Sequence, residues 1–283
     1  MAAIEENASL KKDLETLLEI QSALAGTATL NWNSEKPVEE WDGVKVSKGH
    51  VTRLSLEKCG LSGQIPAELA RLTHIQRLDL SGNRLKGEIP AVLGRLCLLK
   101  RLNLRNNLLE GAIPPTLGDL NEIEWISLYN NKFTGEIPPE IGCLSKVRVL
   151  SLKINDLTGP IPSELGNLSQ LEELHLSTNR LTAIPDELRK LSKLRRMQLH
   201  DNRLRGEIPE WLGCLSELRR LYLGQNLLTG QIPADLGKLS NLRRLSLHNN
   251  KLEGKVPSEL KSLKKLQHVS LYNNNLEFSI GFH

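Results

Sequence analysis

From Val51 onward the chain repeats itself every 24 residues, and this period constrains the fold more than any other property. Copies begin at Val51, Ile75, Leu99, Ile123, Val147, Leu171, Leu194, Leu218, Leu242 and Leu266. The last is cut short, and the copy at Leu171 has 23 residues. Each reads aliphatic-x-x-L-x-L-x-x-N-x-L-x-G-x-I-P-x-x-L-G-x-L, as in LKRLNLRNNLLEGAIPPTLGDLNE at 99–122. A unit of this size cannot bury an apolar face alone, but stacked copies can. The period therefore predicts a solenoid over 51–283 in place of the two globular domains that 283 residues would otherwise suggest.

Within a unit the pattern has a direct physical reading. In LKRLNLRNN, Leu99, Leu102 and Leu104 should face a core while Arg101, Asn103 and Arg105 face solvent, the alternation of a strand buried on one side. Stacked units should join these strands into one parallel sheet on the concave face. Asn83, Asn107, Asn131, Asn155, Asn179, Asn202, Asn226, Asn250 and Asn274 share one slot. Each is expected to turn its amide inward onto backbone groups, because a buried polar side chain persists only when paired. Ile-Pro favours extended backbone, since a residue before proline avoids the helical region. NRLTAIP in the 23-residue unit lacks one residue and the glycine, which predicts a local break in that extended segment.

Ahead of the repeats, SLKKDLETLLEIQSALA places Leu10, Leu14, Leu17, Leu18 and Leu24 near helical spacing, with Lys11, Lys12, Asp13, Glu15 and Glu19 largely opposite. One or two amphipathic helices from about Ser9 to Ala25 are expected to close the open end of the stack, with residues 1–8 frayed. Residues 1–50 thus form an expected helical cap. Trp32 and Trp41 are expected to pack that cap onto the first repeat.

The resemblance becomes specific at Trp32, at Trp41-Asp42-Gly43-Val44 and at Val51-Thr52-Arg53-Leu54, together with L-x-G-x-I-P in the repeats. These resemble plant-type leucine-rich repeat proteins, such as polygalacturonase-inhibiting proteins and receptor-kinase ectodomains. The resemblance implies an α/β repeat solenoid: a right-handed superhelix with a parallel concave sheet, short lateral strands, 3-10 turns on the convex side and an N-terminal helical cap. Secreted members carry a cysteine pair in the cap. Here those slots read Pro37-Val38 and Val44-Lys45-Val46. With a start that lacks a basic region and an apolar core, this gives the expectation of an intracellular, cytoplasmic protein; removal of a signal peptide would make it extracellular.

Several function classes find no support in the chain. It contains no H-E-x-x-H, phosphate loop, G-x-G-x-x-G or G-x-S-x-G elbow, so no enzyme and no cofactor is expected. Cys59, Cys97, Cys143 and Cys214 form no C-x-x-C pair, so no metal is expected, and all four are expected to be buried or neutral thiols. No apolar run reaches 18 residues, and no membrane insertion is expected. Two N-x-S sequons occur, at Asn7 and Asn167.

Function is then expected in the outward strand positions, which the repeat leaves free. The column before the second core leucine reads Arg53, Arg77, Arg101, Trp125, Val149, Glu173, Arg196, Arg220, Arg244 and His268. The next reads Ser55, Asp79, Asn103, Ser127, Ser151, His175, Gln198, Tyr222, Ser246 and Ser270. The third reads Glu57, Ser81, Arg105, Tyr129, Lys153, Ser177, His200, Gly224, His248 and Tyr272. Together the columns hold eight Lys or Arg against three Asp or Glu, a balance of +5 beside +4 for the whole chain. All three tyrosines of a chain with 4% aromatics lie there. Interface hot spots favour Trp, Tyr and Arg. A partner-binding face is therefore expected at Arg101, Arg105, Trp125, Tyr129, Val149 and Lys153, with a second patch at His200, Tyr222, His248 and Tyr272, and with His175, Arg196, Arg220 and Arg244 contributing. The leading expectation is a non-enzymatic protein-interaction scaffold holding an acidic protein or peptide. The alternatives are an extracellular recognition ectodomain or enzyme inhibitor, and polyanion or nucleic-acid binding through the arginines. Oligomeric state is not legible.

Overall fold

The computed structural model of the chain describes residues 2–26 and 30–277, with side chains from Ala8 onward. Phe278, Ile280 and Phe282, candidates for covering the last repeat, lie outside the described residues. The chain forms two compact units, Met1–Thr134 and Gly135–His283.

The first unit opens with one helix, Ala2–Ala23. It starts seven residues earlier than the expected Ser9, so the fraying expected for 1–8 is corrected from Ala2 onward. Its buried stripe holds Leu17 and Ile20, but also Asp13 and Thr16, and Leu24 just past its end is buried too. Placing Asp13 on the solvent face is thus corrected. Its Oδ2 accepts a 2.9 Å hydrogen bond from the Val51 N–H at the start of the first repeat, and that bond offsets the cost of burying a carboxylate. Trp32 and Trp41 are 4% and 3% exposed, stacked with ring centroids 5.9 Å apart. Their indole N–H groups donate to the Asp42 and Lys36 carbonyls. Val38, in a cap cysteine slot, is buried.

Sequence periodicity missed a hairpin here. Strand Val44–Ser47 pairs antiparallel with His50–Ser55. From there the main sheet is parallel and in register: Arg53, Arg77, Arg101 and Trp125 are successive partners across His50–Ser55, Arg77–Asp79, Arg101–Asn103 and Trp125–Ser127. A lateral series follows from L-x-G-x-I-P, as Ser62–Gly63, Arg84–Gly87, Leu108–Ala112 and Lys132–Thr134. A 3-10 turn closes each unit, for example Pro115–Asp119.

The second unit repeats the scheme. Its main parallel sheet is Val149–Ser151, Glu173–His175, Arg196–Gln198, Arg220–Tyr222, Arg244–Ser246 and His268–Ser270. Lateral strands pair as Arg205–Glu207 with Leu227–Thr229 and Glu253–Lys255 with Asn275–Glu277. In the 23-residue unit no lateral strand forms among the described residues 181–185. Backbone bonds from Thr182 N–H to the Gly159 carbonyl and from Arg205 N–H to the Thr182 carbonyl still hold the segment in place.

Packing follows the repeat. Leu102, Leu104, Leu109 and Leu117 are 0% exposed, as are Leu174, Leu176, Leu181 and Leu188. Each such burial stabilises by about 1.5–3 kcal/mol before entropy is counted. Asn107 shows what the shared asparagine does. Its Nδ2 donates to the Leu80 and Leu104 carbonyls at 3.0 and 3.1 Å, and its Oδ1 accepts from the Leu85 N–H at 3.1 Å. Asn226 makes the same bonds with Leu199, Leu223 and Leu204. One amide thus ties its own repeat to the one before it. Asn83, Asn131, Asn155, Asn179, Asn202, Asn250 and Asn274 likewise donate to carbonyls.

The bend after each strand has a backbone cost. The residue before each ladder asparagine is left-handed, with φ 55° at Asn106, 54° at Ile154 and 55° at Thr178. Asparagine tolerates this region, while a β-branched residue is strained there.

Of the expectation of buried or neutral thiols, the burial half is corrected for three cysteines. Cys97, Cys143 and Cys214 are exposed and Cys59 is half-buried, and all four are free. Cys143 and Cys214 end the turns Pro139–Cys143 and Glu210–Cys214, whose inward positions are taken by Ile141 and Leu212.

Candidate functional site

The side chains that the scaffold does not use stand on the solvent face of the main-sheet strands in each unit. In the first unit, Arg53, Arg77 and Arg101 are direct cross-strand partners. Stacked strands lie ~4.8 Å apart, so three like charges stand in a row, an arrangement that costs stability unless an anion joins them. None of the three has a carboxylate partner among the described residues. The Arg101 guanidinium lies over Trp125, 5.0 Å from the ring centroid. Together with Ser55, Asp79 and Asn103, these side chains line a cavity of about 170 Å³. Asp79 is already engaged: its Oδ1 accepts from Ser81 and its Oδ2 from the Asn103 amide, 2.8 Å away. Asn103 is accordingly 7% exposed, which corrects its reading as an open solvent position. Arg105 pairs with Glu57 at 3.2 Å across two repeats. Tyr129 is half-buried on the same column.

Arg53 and Arg77 enter the expected binding residues only through the polyanion alternative, which rests on the arginine columns. The structure places them beside Arg101 and Trp125.

In the second unit, Val149 and Lys153 are half-buried. Glu173 is the register partner of both Val149 and Arg196. Its carboxylate pairs with Arg196 at 3.1 Å and with His175 Nε2 at 2.9 Å. Arg220 and Arg244 continue the row toward His268 without a described carboxylate partner. His200 meets Tyr222 edge-on, with centroids 5.9 Å apart, and His248 stacks on Tyr272 at 4.8 Å. The His248 ring lies where a Cβ on Gly224 would stand, 2.6 Å from it, and its Nδ1 shares a 2.8 Å hydrogen bond with Ser246 Oγ. Gly224 is therefore the notch that lets the ring lie flat. Tyr272 is 57% exposed. The His200 Nδ1 atom is buried with no partner. Burial lowers the pKa of His200 below its ordinary value, Lys153, His248 and His175 push the same way, and Asp201 opposes them.

Each unit therefore joins part of its expected set: Arg101 with Trp125 in one, and His200 with Tyr222 and His248 with Tyr272 in the other.

Comparison with known proteins agrees with this architecture. The family described as leucine-rich repeat region matches residues 140–281, and individual leucine-rich repeats match at 74–96, 98–120 and 122–144. The chain belongs to the leucine-rich repeat family, and it is of the plant type. The PEPR1–AtPEP1 structure is 31% identical with TM-score 0.78, over 94% of this chain and 45% of that one. The Arabidopsis receptor kinase HAESA ectodomain, in complex with an extended IDA peptide hormone, is 29% identical with TM-score 0.66, over 95% and 54%. A plant ice-binding protein is 30% identical with TM-score 0.82, over 94% and 87%. The chain spans less than half the length of the first receptors it matches. No curated protein sequence matches it. The cytoplasmic expectation gains no support from these neighbours, several of which are receptor ectodomains. Among the described residues, no helix is long and apolar enough to cross a membrane.

Proposed function

We propose that the chain is a non-enzymatic recognition module of the receptor-ectodomain kind, holding an acidic peptide or protein segment on the solvent face of its main-sheet strands. The carrying observation is the arginine row Arg53–Arg77–Arg101, without carboxylate partners among the described residues and set beside Trp125. Structural neighbours solved with peptide hormones support a peptide as the occupant. They also favour the extracellular-type reading over a cytoplasmic scaffold, and the exposed Asn167 sequon makes that testable. Glycan at Asn167 after expression through a secretory pathway from the native precursor supports it; an unmodified Asn167 in protein from the native tissue counts against it.

The binding reading is tested by affinity capture from native extract with the wild-type chain, with Trp125→Ala and Tyr129→Ala combined, and with Tyr222→Ala and Tyr272→Ala combined. Loss of the same captured species in either double variant supports it, and unchanged capture in both contradicts it.

A second reading comes from the ice-binding neighbour, which is matched over most of its own length. Ice adsorption calls for a flat array of short uncharged side chains, and the strand columns here carry arginine, glutamate, lysine and tryptophan instead. Freezing-point hysteresis absent at millimolar protein excludes this second reading.

A further inference from the structure

We infer that the cavity between Arg53, Arg77, Arg101 and Trp125 is an anchor for two acidic side chains spaced i and i+2 on an extended peptide. The inference rests on the recognition reading above and names the ligand feature that this part of the face selects.

Three observations carry it. First, the row is short of counter-charge. Arg105 and Arg196, elsewhere in the columns, have Glu57 and Glu173, whereas Arg53, Arg77 and Arg101 have none among the described residues. The one carboxylate in the cavity, Asp79, is turned to Ser81 and Asn103 and held there. Second, the row is shaped. Arg101 lies over the Trp125 ring, so one wall of the cavity is set by stacking and not by a free side chain. Third, the size is restrictive. About 170 Å³ is well below the ~300–1,000 Å³ of sites that enclose a small molecule or cofactor, so side chains or small anions are the occupants that fit.

The spacing follows from strand geometry. Three guanidinium stems on adjacent strands span ~9.6 Å, and alternate residues of an extended peptide lie ~6.7 Å apart on one face. Two such carboxylates each reach a gap between neighbouring arginines, where planar guanidinium groups donate in pairs. Adjacent acidic residues would point to opposite faces, so only one of them would reach the row.

The test uses the full chain and a 12-residue glycine–serine peptide carrying one Glu-Ala-Glu, read by isothermal titration at low and physiological salt. Its partner peptide carries the same two glutamates side by side. The expected result is binding that weakens with salt, favours the spaced peptide, and falls by at least about tenfold in Arg77→Glu, with Arg77→Gln intermediate and Arg189→Glu, on the exposed turn Asp186–Lys190, unchanged. Arg77 is exposed, and circular dichroism of both Arg77 variants is to match wild type before their binding is compared. Equal binding by wild type and folded Arg77→Glu overturns the inference. So do equal affinity for the two peptides, displacement by inorganic phosphate at matched concentration, and tighter binding of a short DNA duplex. If Arg77→Glu leaves capture of the native ligand intact while Tyr222→Ala with Tyr272→Ala abolishes it, the recognition reading stands and this inference falls.

Discussion

The two units are built on one repeat but handle the charge on their strands differently. In Met1–Thr134 the row Arg53–Arg77–Arg101 ends on an aromatic ring, and among the described residues no carboxylate pairs with it. In Gly135–His283 the row Arg196–Arg220–Arg244 begins on Glu173, which holds both Arg196 and His175. The leucines and asparagines beneath are the same in both. The difference therefore shows that the scaffold and the strand columns are separable layers: one sets stability, the other is free to vary with the ligand.

Removing the scaffold layer should have the largest effect, and an equal one in both units. Asn107→Ala and Asn226→Ala each leave buried backbone groups unpaired and should each cost about 3 kcal/mol in denaturant unfolding. A cost confined to one of the units would break the equivalence. The left-handed bend gives a smaller and opposed pair. Ile154→Asn should stabilise by about 1 kcal/mol by relieving a β-branched residue at φ 54°. Asn106→Ile should lose at least that much, because it also gives up the 2.9 Å bond from the Asn130 amide. Thermal midpoints of the two variants check the sign.

Charge variants should be smaller still and should separate the units. Glu173→Gln removes the pairing with Arg196 and should cost about 0.5 kcal/mol, less at high salt. Arg77→Gln relieves like charges that face each other across strands and should raise stability by about 0.3 kcal/mol. If both variants destabilise equally, the contrast between the rows is wrong.

The subtlest expected effect is a pH dependence found in the second unit. Because His200 has a lowered pKa in the folded chain, the unfolded chain takes up its proton first as pH falls. The stabilising contribution of neutral His200 is fully present above about pH 6.5 and declines as pH drops below that value toward its folded pKa. His200→Gln should flatten the decline of the urea midpoint below pH 6.5, and an unchanged slope would remove His200 as its source.

The fold was legible because a 24-residue period leaves few alternatives, and both the strand alternation and the asparagine slot are set within a single unit. Facts that depend on how one element docks on another were not legible. Asp13 belongs to the polar side of its helix by spacing, yet the helix seats it on the Val51 N–H. The hairpin strand Val44–Ser47 has no repeat to reveal it. The stacking of Arg101 on Trp125 is a rotamer choice that no column records. The two arginine triplets, Arg53–Arg77–Arg101 and Arg196–Arg220–Arg244, were legible as a column, but which arginine meets a carboxylate was not: Glu173 pairs with Arg196, while Arg220 and Arg244 have no carboxylate partner among the described residues.

The most direct measurement of the central claim is a structure of the chain with the ligand it captures from native extract. The account predicts ligand density on the solvent face of the main-sheet strands of Met1–Thr134, with acidic groups at Arg53, Arg77 and Arg101. A ligand seated on the 3-10 turns or the lateral strands, with every strand column bare, would contradict it.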